Sequence, residues 1–481
     1  MEKFKQLLPL FVLLVGALVA IAYLFPLTHP YGGLNLPARS TDIVERSRAL
    51  LSEMNIDVSD LWPAVQLKVN RSLFRQTQQR YGIGGANTLL RDSVPVYQWS
   101  VRWKKTNDLQ LSFGEDEASR KQKEKFEDYV RGDISFVFDT KGKVLGFSRK
   151  FSDTLNLPSL TSSAARFAAI QFLKQQTSET VLSDTDHIIL EKSTQQLHRT
   201  DYEFDWNKKT PVLGNPIQIK IIVAGNVIAL YERQEEIPPA FQKNKKQGAL
   251  GILYALFLGI SIIGMILLAI QRIRSYEIGF RLALFVGIIV GLAFDVDMFL
   301  NIQQEQTGWG LLIVLLISPL ILGGALTLMW AVSESIVREV WRDKLISLDL
   351  LSKGRVIHSK IGKSIIRGLV LGAAVFALTL LLVHLVEMAA HLQVIPTDDQ
   401  PSHVFDSAMP IIYVLSHGIF SVSFLFTFIV LFGISLCRKY IHSKYLLVLI
   451  GSVCLALFNL EMISPMIYAF GIQLVVGAVV I

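Results

Sequence analysis

The stretch REVWRDKLISLDLLSKGRVIHSKIGKSIIR, residues 338–367, carries eight Lys and Arg residues. It joins two apolar runs, residues 310–332 and 364–388. Each run is long enough to cross the roughly 30 Å hydrocarbon core of a bilayer as a helix. Because Lys and Arg are enriched in the cytoplasmic loops of membrane proteins, the stretch is predicted to be a cytoplasmic connection between two spans.

Apolar runs of similar length recur along the chain. Eight are candidate spans: residues 7–25, 249–270, 280–300, 310–332, 364–388, 408–436, 445–463 and 465–481. The last run stops at Ile481 without a polar tail, so we expect this span to be incomplete. With 51% hydrophobic and 18% charged residues, the composition favours a polytopic α-helical membrane protein and disfavours a nucleic-acid-binding protein.

A polar block at residues 27–246 separates the first apolar run from the others. The 16 Lys and Arg residues outside this block all fall on one predicted side of the membrane, and the opposite loops, residues 301–309 and 389–407, contain none. This distribution predicts that the block is exported. Residues 1–26 are either an uncleaved membrane anchor or a signal peptide with an A-x-A pattern at Ala20 and Ala22.

The exported block is predicted to be an α+β domain of two related helix-plus-antiparallel-sheet units that divide near residue 155. Residues 97–103 alternate apolar and polar side chains, and hairpins are predicted around Gly142 and Gly225. A helical pattern precedes each hairpin region. The first unit is longer, and its extra material is expected at residues 114–128. The remaining residues, 247–481, form the multi-span membrane domain.

The exported block shows no recognisable catalytic cluster in its sequence. Asp184, Asp186 and His187 are close together, but three polar residues before a strand are typical of a turn. The aromatic residues are expected to form a hydrophobic core. A block without catalytic groups is compatible with a domain that binds a ligand on the exported side.

Ionisable residues within membrane spans are candidates for function, because a charge is costly in the bilayer. His384, Glu387 and His391 stand at spacings of three and four, so they lie on one face of a helix and could ligate zinc. Alternatively, the three residues are merely hydrated, since they lie near the outer end of their span. His417 lies deeper, in the sixth predicted span.

Two further pairs of charged residues lie near span ends. Asp295 and Asp297 are two positions apart, so their side chains should point to different sides of a helix. Glu334 and Arg338 form an ExxxR sequence at the inner end of the fourth span. They are about one helical turn apart and can pair with each other.

The segments RTDYEFDWNKK (199–209), IKIIVAGNVIALYER (219–233) and EEIPPAF (235–241) resemble the exported region of bacterial CPBP-type proteins. These proteins are CAAX-protease-like intramembrane metalloproteases, and some carry a duplicated ectodomain similar to PepSY modules. The segment SESIVREVWRDKL (333–345) also resembles their membrane domain. The resemblance implies a bacterial cytoplasmic membrane, a zinc-dependent peptidase, and a membrane protein or peptide as substrate.

The catalytic signature of that family, EExxxR followed by FxxxH and HxxxN or HxxxD, is incomplete in this sequence. Ser333 replaces the first Glu, and the later partial matches place Leu or Tyr before His384 and His417 where the family has Phe. His384 lies about 20 residues into its span, so it is about 30 Å from the inner end, where Glu334 lies. Because zinc ligands lie about 2 Å from the metal, these two residues cannot share one zinc ion.

Two explanations of the missing chemistry remain. The preferred one is that a protease module follows Ile481 in a longer protein, so that this chain is its N-terminal regulatory and scaffold portion, with the exported domain recognising or regulating and the helices supporting the catalytic module. The other is a complete protein without peptidase activity. The rival function is a non-enzymatic membrane receptor or assembly factor that binds a partner through the exported domain, and a transporter is a third candidate.

Overall fold

The structure is a computed structural model. It describes residues 2–105, 133–150, 153–177, 188–209, 212–241, 248–274, 279–302, 309–341, 345–355, 357–396, 404–405, 407, 409–458 and 463–480. An apolar N-terminal helix leads into a sheet domain, and a bundle of apolar helices follows.

The chain begins with the apolar helix α1 (Glu2–Thr28), which contains the candidate span Leu8–Thr28. It enters the sheet domain through one turn of 3-10 helix, Pro30–Gly33. At the start of this turn the His29 ring accepts a hydrogen bond from the Tyr31 N–H, with a nitrogen-to-nitrogen distance of 3.2 Å. Pro30 suits the first position of the turn, because it has no N–H that would need an acceptor.

The sheet domain alternates helices and strands. In chain order these are α2 (Ser40–Glu53), β1 (Leu61–Val69), α3 (Arg71–Asp92), β2 (Tyr97–Lys105), β3 (Asp133–Asp139), β4 (Val144–Lys150), α4 (Ser162–Gln176), β5 (Ile188–Gln195), β6 (Thr200–Lys209), β7 (Pro216–Ala224) and β8 (Val227–Glu235). All eight strands belong to one antiparallel sheet, in the order β1-β2-β3-β4-β8-β7-β6-β5.

The sheet consists of two four-stranded meanders that meet at their last strands, β4 and β8. Phe147 of β4 pairs with Tyr231 of β8 at this central seam. The prediction of antiparallel sheet is confirmed, and the predicted hairpins around Gly142 and Gly225 are β3–β4 and β7–β8. Because the last strands pair, the two predicted units form one continuous sheet.

One face of the sheet carries the hydrophobic core. Trp99, Phe136 and Ile219 are buried on this face, and Trp99 and Ile219 alternate with polar neighbours. Leu50 of α2 and Ala165 of α4 belong to the same buried cluster, so these helices cover the sheet. The predicted aromatic core is confirmed, and its burial follows from the period-two alternation of side chains along a strand.

Helix α3 has no counterpart in the second meander. It occupies 22 residues between β1 and β2, whereas β5 and β6 are joined by a short turn. The sequence pattern did not indicate this helix. The extra material predicted at residues 114–128 lies outside the described residues, as do Asp184, Asp186 and His187.

The second half of the chain is a helical bundle. Its helices are α5 (Gly248–Arg274), α6 (Phe280–Ile302), α7 (Trp309–Val340), α8 (Ile346–Ser352), α9 (Ser359–Ala389), α10 (Pro410–Leu425), α11 (Ser435–Tyr440), α12 (Lys444–Phe458) and α13 (Met466–Val480). A nine-residue π-helix, Phe426–Ile434, joins α10 to α11. The two-residue strands β9 (Gln393–Val394) and β10 (Ile463–Ser464) pair with each other.

The described residues contain five helices that are long and apolar enough to cross a membrane, fewer than the eight predicted spans. They are Leu8–Thr28, Phe280–Leu300, Leu315–Val340, Ser359–Ala389 and Pro410–Tyr440. The second predicted span lies within the 27-residue helix α5 and is not among these five, and the seventh and eighth correspond to α12 and α13, which have only 15 residues each. Hydropathy alone could not show this, because the apolar residue Ile463 at the end of the seventh run lies in strand β10 and not in a helix.

Helices α6 and α7 pack closely through small residues. A Cβ atom added to Gly287 of α6 would overlap the Thr327 hydroxyl group and lie 2.7 Å from the carbonyl oxygen of Gly323, both in α7. Such small residues allow two membrane helices to approach each other closely. This contact holds α6, the helix that carries Asp295 and Asp297, against α7.

Candidate functional site

Helix α3 meets the membrane helices at a bend. At Gly82 the backbone adopts φ 69° and ψ 177°, a conformation that L-residues with a side chain rarely adopt. The bend leaves the next N–H groups without acceptors in the preceding turn. The Ile83 N–H instead donates to Oε1 of Glu387 on α9, with a nitrogen-to-oxygen distance of 2.6 Å.

Gln78 makes a second link from α3 to the membrane domain. Its amide nitrogen donates to the carbonyl oxygen of Val394 at 3.0 Å, and its amide oxygen accepts from the Val394 N–H at 3.0 Å. Val394 also pairs with Ile463 in the small β9–β10 sheet. All three residues are buried at this junction, where such hydrogen bonds are costly to lose.

A third link joins α3 to the end of α1. The Asn87 amide donates to the carbonyl oxygens of Pro26 (2.9 Å) and His29 (3.0 Å). Gly33 packs against the backbone of Asn87 so closely that an added Cβ would lie 2.7 Å from its Cα atom. Tyr97 of β2 donates from its hydroxyl group to the Pro30 carbonyl oxygen at 2.7 Å.

The opposite side of α3 is bound to the second meander. Arg80 donates to the carbonyl oxygen of Leu213 at 2.8 Å, in the connection before β7. Gln76 and Asn215 exchange two hydrogen bonds of 2.7 Å, and Asn215 also donates to Glu235. Helix α3 therefore connects the far half of the sheet to α1, α9 and β9.

A polar cleft of about 520 Å³ opens beside this junction. The residues with polar side chains in its wall include Gln78, Arg80, Glu387, His391, Gln393 and Ser464. Its size is within the range of small-molecule sites, roughly 300–1,000 Å³. The wall combines cationic and carboxylate groups, so the cleft suits a polar ligand better than an apolar one.

The three residues predicted as zinc ligands do not form a metal group. No set of three His, Cys, Asp or Glu side chains comes together for metal binding in the part of the chain that the structure describes. The Glu387 carboxylate accepts a hydrogen bond from the Ile83 N–H, and His391 lines the cleft. Nδ1 of His384 is buried and has no hydrogen-bond partner among the described residues.

His417 and the two aspartates of α6 lie where α6, α7 and α10 pack. Asp295 accepts a hydrogen bond from Ser318 of α7 at 3.1 Å. Asp297 is buried and faces His417 of α10, with 3.3 Å between Oδ1 and Nδ1. Ser421 lies 3.3 Å from the other ring nitrogen of His417. The aspartates thus point to different sides, as their spacing predicts.

Glu334 and Arg338 form the predicted ion pair, at 2.7 Å between Oε1 and Nη2. Glu334 is buried, and Arg338 also contacts Asp349 of α8. The next residue, Glu339, accepts hydrogen bonds from Arg272 of α5 (2.8 Å) and from Lys439 of α11 (2.9 Å). These contacts tie four helices together at the basic end of α7, and this structural role accounts for both predicted residues.

Comparison with protein families, curated proteins and solved structures finds no match to this chain. Sequence reasoning selected Glu387 but missed Gln78, Gly82 and Asn87, which define the junction. The available signal was the presence of three glycines within residues 82–85, inside an otherwise polar segment.

His29 gives the junction a pH dependence. Its ring stacks on Phe25, with centroids 4.3 Å apart, and lies near Tyr31 and Phe376. Burial lowers the pKa of His29 from 6.5 to about 4. The unfolded chain therefore binds more protons than the folded chain between these values, and stability should fall as the pH drops through this window.

We expect the midpoint temperature of thermal unfolding in detergent to decrease as the pH is lowered from 7 to 4.5. The variant His29→Asn should show a smaller slope of this temperature against pH. Asn preserves a side-chain acceptor for the Tyr31 N–H but does not titrate. His198→Asn, at an exposed position, is the matched control and should keep the slope of the unmodified protein. An equal slope in His29→Asn and the unmodified protein would exclude His29 as the source.

Proposed function

We propose that this chain is a multi-pass membrane receptor or assembly factor, in which the sheet domain binds a partner and α3 couples that domain to the membrane helices. The observation that supports it best is the double attachment of α3. Arg80 and Gln76 bind the far half of the sheet, while Gln78 and the Ile83 N–H bind Val394 and Glu387. The hydrogen bonds from α3 to Val394 and Glu387 therefore oppose a displacement of the sheet relative to α9.

The partner-binding surface that we propose is the sheet face opposite the core. Most of its side chains are exposed or half-buried, although Asp205 is buried, and Lys68, Arg102 and Glu232 supply charge of both signs. Ser135 and Ser148 face each other across β3 and β4 with their hydroxyl oxygens 2.9 Å apart. Small hydroxyl groups at the centre and charges around them suit a polar partner such as an extended protein segment.

We further propose that the protein lies in a bacterial cytoplasmic membrane with the sheet domain exported. The one-sided distribution of Lys and Arg supports this orientation. The course of α9 agrees with it, because the helix begins at Ser359 in the basic stretch and ends at Ala389 beside the sheet domain. The basic residues and the sheet domain are therefore at opposite ends of one span.

Orientation can be tested with single cysteines in a Cys437→Ser, Cys454→Ser background. In spheroplasts we expect a membrane-impermeant maleimide to label Lys68→Cys on the exposed face of β1. Lys353→Cys, which is equally exposed but lies at the basic end of the bundle, should react only after permeabilisation. Labelling of Lys353→Cys alone in sealed spheroplasts would contradict the proposed orientation.

Coupling through α3 can be tested by spin-label distances between the same two positions. The distribution should be narrow in the otherwise unmodified protein and broader when Gln78→Ala and Glu387→Ala remove the links from α3 to β9 and α9. Gln78→Ala with Glu387→Gln is the matched control, because the amide oxygen introduced by the second substitution can still accept from the Ile83 N–H. Unchanged widths in the double alanine variant would refute coupling through this junction.

A metalloprotease, or the scaffold portion of one, is the second candidate. The resemblance of residues 333–345 supports it, and so does the buried His384 Nδ1, which has no partner among the described residues. Zinc does not fit the described residues as a three-ligand site, however, because the neighbouring Glu387 is bound to Ile83.

Metal analysis separates the two candidates. For a receptor we expect the purified protein to hold well under one zinc ion per chain, with the same value in His384→Ala. The metalloprotease would be favoured if the protein held about one zinc ion per chain and His384→Ala lost it. The exposed-site control His198→Ala should then retain the zinc. Plasma mass spectrometry on detergent-purified protein provides the measurement.

A further inference from the structure

An apolar cavity of about 560 Å³ lies at the basic end of the bundle, away from the sheet domain. It is open to the surroundings and is lined by the end of α7, the π-helix, the start of α12 and the end of α13. Its apolar wall includes Val337, Trp341, Leu431, Ile434, Leu447 and Val480. The π-helix contributes several wall residues, and such segments occur frequently at functional sites.

Two cationic side chains, Arg438 and Lys444, also line this cavity. The guanidinium group of Arg438 donates from Nη1 to the His442 carbonyl oxygen at 2.6 Å. Neither cation has a carboxylate partner in the part of the chain that the structure describes. The adjacent residue Lys439, by contrast, is paired with Glu339 at 2.9 Å. Positive charge thus remains available at the cavity.

We propose that this cavity is a binding site for an anionic phospholipid of the surrounding bilayer. One acyl chain would occupy the apolar space, and the phosphate group would bind Arg438 and Lys444. The volume is within the roughly 300–1,000 Å³ of typical ligand sites. Basic groups at a membrane surface attract anionic lipids, whereas a zwitterionic lipid brings no net negative charge to them.

Trp341 in the cavity wall provides a direct readout. The full chain is placed in phosphatidylcholine vesicles that contain either brominated phosphatidylglycerol or, in equal amount, brominated phosphatidylcholine. The Trp341 signal is the difference between the protein and Trp341→Phe. Because bromine quenches tryptophan at short range, we expect at least twofold stronger quenching of Trp341 by the anionic lipid.

The charge requirement is tested with Arg438→Gln combined with Lys444→Gln, which should remove this preference. Lys360→Gln in an unmodified background is the control, because Lys360 is an exposed cation at the same end of the bundle but outside the cavity wall. Val448→Phe fills the cavity without changing charge and should also lower quenching by the anionic lipid to the phosphatidylcholine level.

The proposal is overturned if the two brominated lipids quench Trp341 equally in the unmodified protein. It is also overturned if the preference survives either removal of both cations or filling of the cavity. These results would assign Trp341 to ordinary contact with bulk lipid. Unquenched Trp341 in both vesicle types would show that no acyl chain enters, which is equally decisive.

Discussion

The junction between the two halves of the molecule depends on the hydrogen bond from the Ile83 N–H to Glu387. The bend at Gly82 creates a helix start inside α3, and a buried N–H at such a start must find an acceptor. The acceptor comes from a side chain on α9, 304 residues away in sequence. A carboxylate is also favoured there by the partial positive charge of a helix N-terminus.

Because of this junction, α3 packs with both the sheet domain and the helical bundle. The sheet has its own core, centred on Trp99 and Phe136, and the membrane helices α6 and α7 have a separate cluster around Val286 and Trp330. Ile83 belongs to a third cluster, with Val383, Val394 and residues of α13. An insertion in one meander thus supplies the apolar contact as well as the hydrogen bonds by which the sheet domain sits on the bundle.

The sequence predicts those features that depend on local periodicity. Alternation at residues 97–103 identified β2, and the turns at Gly142 and Gly225 identified both hairpins. Helix α3 has no such period, because most of its own residues are polar and three glycines interrupt its sequence. Glu387 was selected for its spacing from His384 and His391, yet its partner is a distant backbone N–H that no spacing rule can find. The pairing of β9 with β10 ends the seventh predicted span early, and this pairing between distant segments also cannot be found by a spacing rule.

The links at the junction also define which parts must move together. Gln78 uses both a donor and an acceptor on Val394, and Val394 is paired with Ile463 at the start of the segment that leads into α13. The far end of α13, at Val480, lines the apolar cavity beside Trp341. A continuous set of contacts therefore runs from the sheet domain to that cavity. Such a path transmits a signal only if one of its elements has two stable arrangements.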